Sequence, residues 1–169
     1  MPIEIDPALP PPLIPLAWLV GRWAGAGVVG YPTMSEARFG QEIVISHDGR
    51  PFLSYTSRTW LLDAVGNQVR PLATETGFWR PAGEHAEGGL AVELLLVHPS
   101  GILELFVGRA HGARVDLVTD AVIRTATAKE YNAASRMYGL VEGDLLWAMD
   151  MAAMGHPLQP HASARLKRS

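Results

Sequence analysis

Gly21-Arg22-Trp23-Ala24-Gly25-Ala26-Gly27 is the stretch on which the fold turns. An extended chain alternates its side chains between two faces, so Trp23, Gly25 and Gly27 share one face and Ala24, Ala26 and Val28 the other. Small residues crowd both. Glycine inside a strand costs stability and persists where the strand bends or where something approaches the backbone closely. The run therefore reads as a strongly coiled strand that closes a barrel, or as a strand whose glycines leave room for a flat ligand beside Trp23. The two readings are compatible.

Outward from this run the chain breaks into short segments rich in Val, Ile, Leu, Thr, Tyr and Phe, bounded by Gly, Asp, Asn and Pro. Ten strands are expected: Trp23–Tyr31, Glu36–His47, Phe52–Leu62, Arg70–Arg80, Leu90–His98, Ile102–Arg109, Arg114–Arg124, Ala133–Val141, Asp144–Met154 and Gln159–Arg168. Asp48-Gly49, Gly66-Asn67, Pro99-Ser100-Gly101, His111-Gly112 and Glu142-Gly143-Asp144 supply tight-turn chemistry between them, so consecutive strands pair as hairpins. No amphipathic helix follows any strand, which excludes βαβ crossovers and makes the sheet antiparallel. The fold class is all-β, and closing the meander into an up-and-down barrel removes its two exposed edges. A barrel of about ten strands keeps internal space, which is where a ligand would go. Before it, Pro2, Pro7, Pro10, Pro11, Pro12 and Pro15 predict an extended or irregular arm over 1–16, with a short helical turn within Pro15–Val20 and one barrel domain over 17–169.

With 169 residues the chain can bury a core of its own. Fourteen Lys and Arg against seventeen Asp and Glu leave a net charge of −3, which argues against nucleic acid and anionic membrane surfaces as partners. The one basic cluster, Arg165, Lys167 and Arg168, reads as a solvated strand face. The absence of cysteine removes disulfides, thiolate metal sites and cysteine nucleophiles. Residues 1–16 carry Glu4 and Asp6 and lack the basic start of a signal peptide, and no apolar run reaches about 20 residues, so a cytoplasmic location is expected.

The run from Gly21 to Gly27 resembles the G-x-W-x-G-x-G signature of the nitrobindins, heme-binding β-barrels that are similar to fatty-acid-binding proteins. Tyr31-Pro32-Thr33, the hairpin from Ser46 to Leu53, Glu75-Thr76-Gly77-Phe78, His98-Pro99-Ser100-Gly101, Thr127-Ala128-Lys129 and Gln159-Pro160-His161 resemble further family segments in the expected order. The resemblance implies a homodimeric barrel with heme b at one mouth, its iron bound by one histidine near the C-terminus, at the position of His161. It implies a peroxynitrite isomerase whose ferric heme converts peroxynitrite to nitrate and which binds nitric oxide reversibly. Lys129 and Thr33, with Arg50 behind them, are expected near the heme propionates.

Among six histidines, residue type alone selects none. His85 and His111 sit in Gly-containing loops, His47 and His98 end strands beside turns whose backbone they would hydrogen-bond, and His156 precedes Pro157 in a hairpin. Simple alternation groups His161 with Ser163, Arg165 and Lys167, opposite Ala162, Ala164 and Leu166. It therefore points outward if the apolar set points inward, unless a bulge at Pro160 changes the register. Strand nine places Leu145, Trp147, Met149 and Met151 on one face, either as plain core or as an apolar heme wall without an acid or base beside it. The alternative function is a heme-free carrier of a fatty acid or another hydrophobic small molecule.

Overall fold

The computed structural model describes residues 4–169. Ten antiparallel strands, β1 (Gly21–Tyr31), β2 (Met34–Ser46), β3 (Leu53–Leu62), β4 (Gln68–Glu84), β5 (Leu90–His98), β6 (Ile102–His111), β7 (Arg114–Arg124), β8 (Tyr131–Val141), β9 (Asp144–Ala153) and β10 (Gln159–Arg168), close into one barrel. Each strand pairs with its sequence neighbours, and β1 pairs with β10 from Trp23↔Arg168 to Val29↔Ala162. The strands expected from sequence are all present, with β4 extended at both ends.

The glycines of β1 make that seam possible. A Cβ on Gly25 would stand 2.5 Å from the Arg165 carbonyl oxygen, and one on Gly27 would stand 2.6 Å from Phe39 Cζ. The space they leave is filled by β10 and Phe39. Trp23 is fully buried at the far end of the strand, where its Nε1 donates to the Leu19 carbonyl at 3.0 Å and the Arg168 guanidinium lies 4.1 Å over its ring. The run closes the barrel, and among the described residues Trp23 is packed to full burial.

The proline-rich segment departs from the expected irregular arm. Pro11–Leu19 forms a 3₁₀ helix. Its period of three residues per turn puts Leu13, Leu16 and Leu19 on one face, and all three are fully buried. Prolines at its start preset φ and lose only N–H groups that a helix start leaves unpaired. The helix precedes β1, so it lies at the end of the barrel carrying the β2–β3, β4–β5, β6–β7 and β8–β9 connections, and it plugs that end. The loops β1–β2, β3–β4, β5–β6, β7–β8 and β9–β10 surround the other mouth. Among the described residues no helix is long and apolar enough to cross a membrane.

Candidate functional site

A cavity of about 340 Å³ opens inside the barrel. One wall is apolar, made by Val29, Met34, Phe39, Trp147, Met149 and Met151. Trp147 is held by its indole N–H, which donates to Gln41 Oε1 at 2.7 Å, and Gln41 in turn donates to Ser57 Oγ at 2.9 Å.

His161 lies on this wall because β10 bulges at its start. Pro160 pairs with Asp150 and Ala162 with Met149, so His161 is the extra residue between two consecutive partners. Proline donates no ladder hydrogen bond, which permits the bulge there. The alternation that would turn His161 outward is broken, and both His161 and Ala162 border the cavity. His161 Nδ1 lies 3.0 Å from the Gly30 carbonyl oxygen, and its ring meets Tyr31 edge-on at 5.6 Å. A carbonyl only accepts, so Nδ1 carries the proton and Nε2 keeps its lone pair. Burial pushes His161 below the usual histidine value, the Gly30 carbonyl pulls it back, and the Arg136 charge lowers it further. The result is a neutral, oriented imidazole with a free ligand nitrogen, the form that binds transition metals. Among the described residues no group of three or more His, Asp or Glu is placed to hold a bare metal ion.

The facing wall overturns the expectation of a cavity without acid or base. Glu75, His98, Glu104, Tyr131 and Arg136 all line it. Arg136 grips Glu75 with two parallel hydrogen bonds of 2.8 and 2.9 Å, and Tyr55 donates to the same carboxylate at 2.7 Å. Burial alone would raise Glu75, but the Arg136 charge and its hydrogen bonds outweigh it and hold the carboxyl at about 2. His98 Nε2 lies 2.8 Å from Glu104 Oε1, and the Tyr131 hydroxyl donates a short hydrogen bond to Glu104 Oε2. Burial and the Glu104 charge push the Tyr131 phenol well up, so it remains a donor. His98 therefore bonds a buried carboxylate rather than the turn beside it, whereas His47 does accept from the Gly49 N–H of its own turn.

The other expected residues sort by barrel end. Thr33 is exposed in the β1–β2 turn, with Oγ1 3.8 Å from Met154 Sδ. Lys129 is exposed in the β7–β8 loop, which is tied to the β9–β10 loop through Glu130, whose Oε1 accepts from Gly155 N at 3.0 Å. Both stand at the open mouth with His161, and neither lines the cavity. Arg50 lies in the β2–β3 connection at the plugged end and pairs with Asp48, which removes it from any role at the mouth. Gly21, Trp23, Gly25 and Gly27 belong to the closing seam.

A family model described as THAP4-like, heme-binding beta-barrel domain matches residues 12–168. A "ferric nitrobindin-like protein" of Kineococcus radiotolerans is 55% identical, with 99% of this chain and 98% of that protein aligned. A "peroxynitrite isomerase" of a Nocardioides species is 51% identical over 99% of each chain. The crystal structure of Rv2717c from M. tuberculosis superposes with a TM-score of 0.81 at 39% identity, covering 95% of this chain and 99% of that one. With its barrel closed by the glycine run and its neutral histidine at the mouth, the chain belongs to the THAP4-like family of heme-binding β-barrel domains.

Proposed function

We propose that the protein is a peroxynitrite isomerase that holds heme b through His161 and also binds nitric oxide reversibly. The observation that carries this reading is the bulge at His161, which presents a neutral imidazole with a free Nε2 beside an apolar cavity wall. The residues fit the group: Met34, Met149, Met151, Phe39 and Trp147 offer adaptable apolar surface to a macrocycle, and one imidazole completes a heme iron's protein ligation. Bound heme supplies the iron chemistry that converts peroxynitrite to nitrate. The chain's part is to fix the ligand nitrogen through Gly30, to exclude water with the thioether and indole wall, and to meet the propionates at the mouth with Lys129 and Thr33. The relatives named peroxynitrite isomerase, alike over nearly the whole chain, support the activity.

A fatty-acid carrier has no comparable support. Arg136 has its guanidinium fork filled by Glu75, and Glu104 faces the same cavity, so a fatty-acid carboxylate meets no free cation there. The homodimer reading is favoured by the barrel's outer face, where Phe78, Leu95, Leu105 and Ala121 stand abreast across β4 to β7, with Val97, Leu103 and Ile123 in the next row. Ile123 is 66% exposed and Phe78 47%, an apolar patch of the kind that marks an interface.

The test of function is to mix the ferric, heme-loaded protein with peroxynitrite and quantify products. The reading predicts faster decay with nitrate as the product and no gain from His161→Ala; unchanged decay in the loaded wild type overturns it.

A further inference from the structure

The hydrogen bonds joining Trp147, Gln41 and Ser57 run in one direction only. An indole N–H donates and never accepts, so the Gln41 atom that faces Trp147 at 2.7 Å is the carbonyl oxygen Oε1. The amide nitrogen therefore faces Ser57 and donates to Oγ at 2.9 Å. Ser57 is the acceptor in that bond, and its own hydroxyl proton points elsewhere. Gln41 Nε2 likewise keeps a second N–H, since an amide nitrogen carries two. The amide cannot turn over without setting N–H against N–H at Trp147, so this orientation is fixed.

Neither spare proton meets an acceptor among the described residues, where Ser57 Oγ and Gln41 Nε2 bond only each other. Gln41 on β2 and Ser57 on β3 are each 3% exposed, and both border the cavity. Thr59, Glu75 and Glu104 line it too, but their oxygens have partners of their own. Thr59 exchanges hydrogen bonds with the Ala73 backbone, Glu75 accepts from Arg136 and Tyr55, and Glu104 accepts from Tyr131. Buried donors are nearly always paired. Two of them left open, on atoms 2.9 Å apart in a cavity wall, call for an acceptor from outside the chain.

We propose that Gln41 and Ser57 form a donor pair that binds the oxygen atoms of a small oxyanion inside the cavity. Donors this close meet one acceptor group together, and hydrogen bonds to a charged acceptor are the stronger ones. The oxyanion displaces any water that satisfies the pair in its absence. This deepens the function proposed above, since peroxynitrite and nitrate are small oxyanions, and only the natural ligand's identity rests on that reading.

The test is a titration of inorganic nitrate into the heme-free protein at pH 7, read by the side-chain amide resonances of Gln41. The amide proton not held by Ser57 is expected to move most, and to saturate. Ser57→Ala is expected to weaken nitrate by about tenfold, and Ser57→Thr, which keeps the hydroxyl, to stay near wild type. Dispersed Gln41 resonances show that each variant is folded. No saturable shift in the wild type, equal affinity in Ser57→Ala, or a Ser57→Thr as weak as the alanine variant overturns the inference. Heme uptake is followed in parallel by the Soret band and is expected to be the same in wild type and Ser57→Ala. A wild type that takes up no heme defeats the function reading and leaves the nitrate titration to decide this one. Loss of uptake in Ser57→Ala alone assigns Ser57 to the heme and overturns the inference.

Discussion

Replacing Arg136 by methionine keeps the volume of the side chain on β8 and removes the charge that Glu75 depends on. Glu75 has a side chain only 16% exposed, and its carboxyl falls from an ordinary 4.5 to about 2 because Arg136 outweighs the cost of burial. At about 1.4 kcal/mol per pH unit this corresponds to about 3 kcal/mol of folding stability. The sign follows from the lowered value: the contribution is complete above the unfolded carboxyl's 4.5 and is lost as pH falls through about 2. Arg136→Met leaves a buried carboxylate without its partner, so a loss of about 3–5 kcal/mol is expected at pH 7, a fall in Tm of roughly 6–20 °C for a chain of this size. The double variant Glu75→Gln with Arg136→Met removes both charges and is expected to recover much of that loss, because two neutral groups of similar shape leave no bare ion. Urea unfolding followed by tryptophan fluorescence at pH 7, repeated down to pH 2.5, measures each effect. The reasoning fails if Arg136→Met unfolds within 1 kcal/mol of wild type, or if the double variant is no more stable than the single.

Gly27→Val forces a side chain against Phe39 and the β10 backbone and is expected to cost at least about 1–3 kcal/mol, read by chemical denaturation. Leu16→Ala opens a cavity under the 3₁₀ helix and is expected to cost about 2–5 kcal/mol without altering heme uptake at the opposite mouth. His161 is held below its unfolded value by burial, so the unfolded chain binds its proton first as pH falls below 6.5; heme-free stability is expected to drop there, less steeply in His161→Gln, by denaturation at pH 5 and 7.5. Leu95→Lys with Ile123→Lys is expected to yield monomers in sedimentation, against dimers for wild type.

Strand number, pairing and closure were legible because turn residues and period-two alternation recur along the whole chain, and hairpin order then leaves one way to close. Of the 3₁₀ plug only the turn within Pro15–Val20 was legible, because the proline content before it reads as an arm; the leucine spacing of three at Leu13, Leu16 and Leu19 was the available signal for the rest. Alternation also failed at His161, where one bulged residue reverses a face and only the preceding Pro160 hinted at it. The charged wall went unread although its signal was present: Glu104 alternates in phase with Ile102 and Phe106, and Arg136 with Ala134 and Tyr138. A charge in phase with core residues is buried, and burial demands a partner. Which partners meet, Glu75 with Arg136 across 61 residues, is set by the barrel and not by local spacing.

The central claim is that His161 ligates heme, and a titration of ferric heme into the purified heme-free protein tests it most directly. The account predicts saturation at one heme per chain with a Soret band typical of imidazole-ligated ferric heme, and loss of that band in a folded His161→Ala variant. An identical band and affinity in the variant, or no uptake by the wild type, would contradict it.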